Sequence, residues 1–143
     1  MTLETKTVAL RGIVAALVGA AVNAGLVALA TAAGIAPGFQ ALTYPPVVFL
    51  SVVGALGAAV AYLVIQRRAS GDPDRAFTRI AAIVLVLSFV PDIGLLFGDD
   101  AATVAGVVLL MVMHVVVAVA AVTLLTGRPI ALGGADDSNP MAR

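Results

Sequence analysis

An all-α integral membrane protein, folded as an antiparallel four-helix bundle with both termini on the cytoplasmic side, is the architecture this sequence predicts. Three observations carry that expectation. Four apolar stretches, at about 8–33, 45–66, 77–97 and 102–126, fill most of the 143 residues, and a helix needs only about 20 apolar residues to cross a hydrocarbon layer ~30 Å thick. Hydrophobic residues make up 62% of the chain and charged residues only 11%, well short of the roughly one quarter that a water-soluble domain carries. The third observation is where the basic residues stand. Lys6 and Arg11 open the first stretch, Arg67, Arg68, Arg75 and Arg79 lie between the second and third, and Arg128 and Arg143 follow the fourth. The connectors 34–44 and 98–101 carry no Lys or Arg. Basic residues resist translocation, so this asymmetry predicts cytoplasmic ends and a cytoplasmic central connector in a plasma membrane.

Taken in order, the first span carries Arg11 near its start, where a long stem can snorkel to the interface. A cleavable signal peptide is the competing reading, with a basic start and small residues around Ala28-Leu29-Ala30. An apolar core longer than a signal peptide's, containing Asn23, argues for retention. The second span opens on Pro45-Pro46, suited to a first helical turn whose N–H groups lack partners, and stops at Arg67-Arg68. A breaker-rich connector, Ala69-Ser70-Gly71-Asp72-Pro73-Asp74, leads to the third span. The fourth ends at Gly127 and Pro129. A single transmembrane domain over 1–131 is expected, followed by a small, polar, disordered cytoplasmic tail over 132–143. Phe39, Tyr44 and Phe97 are expected in the outer aromatic belt, Tyr62 and Phe77 in the inner one.

Helices in lipid gain nothing from hydrophobic exclusion, so close approach and polar contacts must hold them together. Gly12, Ala16, Gly19 and Asn23 share one face of the first span. Gly54, Ala58 and Ala61 do so on the second, with Gly57 beside them. These small residues predict intrachain packing in a compact bundle. A membrane-protein partner or a second copy is the other use of such faces. The lipid bilayer itself is the surrounding partner.

Few polar residues interrupt the spans: Asn23, Ser88, Asp92, His114 and, more weakly, Ser51. Asn23 lies 12 residues past Arg11, Asp92 lies 13 past Arg79, and His114 lies 14 before Arg128. At ~1.5 Å per residue all three sit about 18–21 Å from the basic rim, at one level. Gly54 reaches the same level, and Ser88 is one turn below Asp92. An Asp facing lipid near the midplane costs about 2.5–3.5 kcal/mol, so Asp92 is expected to point inward or to meet water. Pro91 deprives the Leu87 carbonyl of its helical partner, which Ser88, water or a neighbouring helix must replace. The expected arrangement is a hydrogen bond between Asp92 and His114 across the third and fourth helices, completed by Asn23. Two readings of this layer stay open. It is interhelical glue that sets register, or an intramembrane ionisable pair that marks a proton or ligand site.

Other chemistry is not expected. Without cysteine there are no disulfides, thiolate metal sites or cysteine nucleophiles. One histidine does not make a zinc site, and Asp99-Asp100 reads as a solvated turn. No phosphate loop or Ser-His-Asp motif is present, so no cofactor, metal or enzymatic activity is predicted. The basic central connector lacks the interleaved aromatics of a nucleic-acid surface.

Asn23 in an Ala-rich first span, Phe77-Thr78-Arg79 opening the third, Ser88-Phe89-Val90-Pro91-Asp92 and Met113-His114 together resemble a family of small four-span bacterial and archaeal membrane proteins of unknown function. The likeness runs from about Arg11 to Thr126. It implies four plasma-membrane helices and supplies no activity, substrate or catalytic residue. The function expected is that of a non-enzymatic accessory or structural membrane component. The alternative is a small proton-linked carrier or ligand-binding bundle using Asp92 and His114.

Overall fold

The structure, a computed structural model, describes residues 3–127. Among them are four α-helices and no strand: α1 (Thr5–Ala32), α2 (Tyr44–Arg68), α3 (Pro73–Gly98) and α4 (Val104–Thr126), with a 3-10 turn, Gln40–Leu42, in the first connector. Each helix is long and apolar enough to cross a membrane. Three helices extend past the expected spans at the basic end: α1 starts at Thr5, α2 continues to Arg68 and α3 begins at Pro73. The expectations for Arg128, Pro129, Arg143 and the 132–143 tail lie outside the described residues.

The breaks between helices follow from local chemistry. Asp72 caps α3, its side chain accepting from the N–H of Asp74 at 3.0 Å and of Arg75 at 3.4 Å, with Pro73 at the first helical position. Thr103 caps α4 by accepting from the Gly106 N–H at 3.1 Å. α2 instead begins on its two prolines, and the Thr43 hydroxyl turns back to the Gln40 carbonyl at 2.7 Å.

Small residues set the closest crossing. The row Gly12, Ala16, Gly19, Asn23 is buried along α1. A Cβ on Gly12 would lie 2.6 Å from the Ala59 Cβ, a separation that real side chains do not reach, so glycine is what lets α1 and α2 touch. Gly19 packs on α4, its Cβ position 3.4 Å from Val117 Cγ2. On α2 the inward row is Val47, Ser51, Ala55, Ala59 and Tyr62 rather than Gly54, Ala58 and Ala61. This row turns Ser51 toward Asn23 and Ala59 toward Gly12. Gly54 still borders α4, 3.5 Å from Val117 Cγ1, whereas Gly57 has open space beside it. α3 is the peripheral helix: only Phe77 and Asp92 are buried along it.

Three apolar clusters stack through the interior. Val8, Ala59, Tyr62, Phe77 and Leu125 close the basic end, Ala15, Ala16 and Ala55 fill the middle, and Val27, Phe39, Val47, Val107 and Met113 close the far end. The first connector folds back as a cover over that far end, with Ala36, Phe39 and Leu42 buried. Gly106 accommodates it, since a Cβ there would stand 2.8 Å from Ala36 Cβ and 3.2 Å from Phe39 Cδ1. The aromatic belts are therefore thinner than expected. Tyr44 and Phe97 are exposed, but Phe39, Tyr62 and Phe77 are buried. Tyr62 and Phe77 pack edge to face, centroids 5.1 Å apart, because each supplies volume where the Ala- and Gly-rich helices leave room.

Candidate functional site

Asn23 of α1, together with Ser51 of α2, and Asp92 of α3 meet α4 at Met113 and His114. Asn23 of α1 is 1% exposed. Its side-chain amide donates to Ser51 Oγ of α2 at 2.9 Å and to the Met113 carbonyl of α4 at 3.2 Å. Ser51 passes its own hydrogen to the Val47 carbonyl at 2.7 Å, so its oxygen is free to accept. A backbone carbonyl only accepts, which fixes the amide's orientation and leaves Asn23 Oδ1 buried with no hydrogen-bond partner among the described residues.

One residue further along α4, His114 meets α3. Its Nδ1 lies 3.1 Å from Asp92 Oδ2 and 2.9 Å from the Leu110 carbonyl of its own helix. With oxygen acceptors on both sides, Nδ1 must carry a hydrogen. That hydrogen aligns with the Leu110 carbonyl. Asp92 Oδ2 lies close to Nδ1 without a directed hydrogen bond. The Asp92 side chain is 9% exposed and that of His114 is 37% exposed, so the imidazole reaches the bundle surface while the carboxylate lies beneath it.

The expected Asp92–His114 hydrogen bond completed by Asn23 is not what forms: Asp92 and His114 are in close contact without a directed bond, and Asn23 makes a separate arm on α4. Asn23 bonds the Met113 backbone and Ser51, not the imidazole. Ser88 does not join them. Its hydroxyl donates to the Leu85 carbonyl at 2.6 Å, within its own helix, so it is not the replacement partner of the Leu87 carbonyl. Of the packing glycines, Gly12, Gly19 and Gly54 border other helices within 4 Å and Gly57 does not.

A second polar set at the basic end was not foreseen. The Tyr62 hydroxyl of α2 donates to Asp74 Oδ1 of α3 at 2.5 Å. Arg11 Nη1 of α1 donates to the Leu125 carbonyl in the last turn of α4 at 3.3 Å, where a cation also complements the negative helix end. A tyrosine and an aspartate flanking the short 69–72 connector were the available signal for the first pair.

Four apolar helices of this length around a buried polar layer define a small multi-pass membrane protein of the all-helical bundle class. Within that class, the chain belongs to DUF6069, a family of unknown function, which it matches over residues 3–129. No curated protein and no solved structure matches it.

Proposed function

We propose that this protein is a non-enzymatic accessory or structural component of the plasma membrane. In this reading it is an antiparallel bundle with both termini cytoplasmic, and its buried polar layer fixes how four otherwise greasy helices register. Asn23 carries the reading: one fully buried amide ties α1 to α2 and α4. Interhelical hydrogen bonds in a bilayer contribute about 0.6–2 kcal/mol each. Two such bonds, with the Asp92–His114 contact beside them, are a large share of what holds helices together where hydrophobic exclusion is absent. The antiparallel arrangement is supported by the cluster that joins Val8, Tyr62, Phe77 and Leu125, from the start of α1, the end of α2, the start of α3 and the end of α4. The cytoplasmic orientation is supported by Lys6, Arg11, Arg67, Arg68, Arg75 and Arg79, which among the described residues lie toward this same end.

The partner is another membrane protein or a second copy within the bilayer. A proton-linked carrier is the second reading, favoured by the direct contact of the two ionisable groups at this depth. His114→Phe separates the two. The accessory reading predicts loss of folded protein in detergent. An intact bundle that has lost a transport or binding signal supports the carrier. Reporter tags on the amino end and in the 69–72 connector test the topology, and opposite faces would contradict it.

A further inference from the structure

Along the outside of the bundle, α1 and α4 leave an open groove. Val112, Val116, Val119 and Thr123 follow one another on α4 at steps of four, three and four, a single stripe, and Val18 of α1 lines the groove with them. Its volume, about 460 Å³, falls in the ~300–1,000 Å³ range of ligand pockets. The lining is aliphatic except for Thr123, whose hydroxyl donates to the Val119 carbonyl of its own helix at 2.7 Å. Along its length the groove suits an apolar chain. α3 meets α4 elsewhere, at His114, and contributes nothing to the lining.

The extent of the groove and the group at its end narrow the choice of occupant. From Val112 to Leu124 it follows α4 for 12 residues, about 18 Å, toward the helix end at Thr126. One leaflet of a ~30 Å hydrocarbon layer is about 15 Å deep. A neighbouring helix would lie along α4 from end to end, but the far part of α4 carries the first connector, with Ala36 and Phe39 against Gly106. At the basic end stands Arg11, seven residues before Val18 and so on the same flank of α1. Its Nη1 donates to the Leu125 carbonyl at 3.3 Å, and the guanidinium lies over Gly127. That bond uses one of five N–H donors, and Arg11 makes no ion pair among the described residues. An apolar slot one leaflet deep, headed by a cation with donors in reserve, matches a phospholipid: an acyl chain for the slot and a phosphate for the guanidinium.

We infer that the groove between α1 and α4 binds one anionic phospholipid of the leaflet at the basic end. An acyl chain lies along the α4 valines, and the phosphate accepts hydrogen bonds from Arg11. A headgroup of net negative charge is preferred to a zwitterionic one, whose own ammonium opposes the guanidinium. The inference rests on the bilayer placement proposed above, whose topology makes this the cytoplasmic leaflet, and adds a ligand to it.

Native mass spectrometry of the full chain released from detergent tests the site, with dioleoyl phosphatidylglycerol as the anionic probe and dioleoyl phosphatidylcholine as the zwitterionic one. One phosphatidylglycerol per chain is expected to be retained, at about fivefold lower lipid concentration than phosphatidylcholine. Arg11→Gln is expected to remove that preference. Arg79→Gln, at an exposed arginine of α3 toward the same end, is expected to leave it in place. Val119→Trp fills the groove and is expected to weaken retention of both lipids. Equal retention of the two lipids by the native chain overturns the site, as does a preference that survives Arg11→Gln or that Arg79→Gln removes equally. A lipid-free dimer that Val119→Trp dissociates gives the groove to a second copy and overturns it as well. The native-chain comparison decides even if a variant does not fold. The topology reporters fail independently of these spectra, since tags that place the basic end outside change the leaflet and not the retained lipid.

Discussion

Gly12 and Ala59 define the tightest contact between α1 and α2, with no room for even one added carbon at residue 12. Gly12→Ala is therefore expected to destabilise the bundle by about 1–3 kcal/mol through overpacking, although alanine is the better helix former. Gly57→Ala, which meets open space, is expected to be neutral or slightly stabilising. Unfolding in detergent checks both, and Gly12→Ala combined with Ala59→Gly should recover part of the loss.

The contact of α1 with α4 is testable by chemistry because the chain has no cysteine. The Gly19 Cβ position lies 3.4 Å from Val117 Cγ2 and 3.9 Å from Val117 Cα. With a Cβ at residue 19 only 3.9 Å from the Val117 Cα, the two Cα atoms are at most about 5.4 Å apart, inside the ~4.4–6.8 Å range of bridged cysteines. Gly19→Cys with Val117→Cys is expected to close an intramolecular disulfide on oxidation in membranes, read as a reducible gel shift. Gly57→Cys with Val117→Cys should not close one.

Phe39 is 1% exposed beneath a connector that belt statistics would place at the interface. Phe39→Ala is expected to cost about 3–5 kcal/mol, the range for emptying a buried aromatic site. Tyr44→Ala, at an exposed position, should cost far less. Thermal melts of the two variants in one detergent make the comparison.

At the basic end, Tyr62→Phe keeps the ring against Phe77 and removes only the hydroxyl that donates to Asp74. Asp74 has a further interaction besides this hydrogen bond. A loss of about 0.5–1.5 kcal/mol is expected. Tyr62→Ala should lose several times more, again read by unfolding.

Much of the fold was legible because bilayer insertion depends on few variables. Length, apolarity and the placement of eight basic residues define four helices and about where they break, whereas Asp72-Pro73, which caps α3 four residues before the expected start, was read only as connector chemistry. The contact of Asp92 with His114, with Asn23 beside Met113 one residue away on α4, was legible for a related reason: equal distances from basic anchors put polar groups at equal depth, though not that Asn23 would bond elsewhere. What depth does not give is rotation. The choice of Ser51 and Ala59 over Gly54 and Ala58 on α2 is a turn of one residue, about 100°. α2 is apolar on every side, so no hydrophobic period distinguishes them. Backbone acceptors were also invisible. Met113 and Leu110 act through their carbonyls, so their side-chain types gave no hint of it. The burial of Phe39, Tyr62 and Phe77 followed from cavities between small residues, which only the packed helices reveal.

The central claim is that Asn23 fastens the helices through bonds it makes to its neighbours, and a double-mutant cycle measures it. Unfolding free energies in one detergent are compared for the native chain, Ser51→Ala, Asn23→Leu and the double variant. If the 2.9 Å Asn23–Ser51 bond holds α1 to α2, the two changes are non-additive by about 0.6–2 kcal/mol. Losses that add to within about 0.3 kcal/mol, as for independent sites, would contradict it.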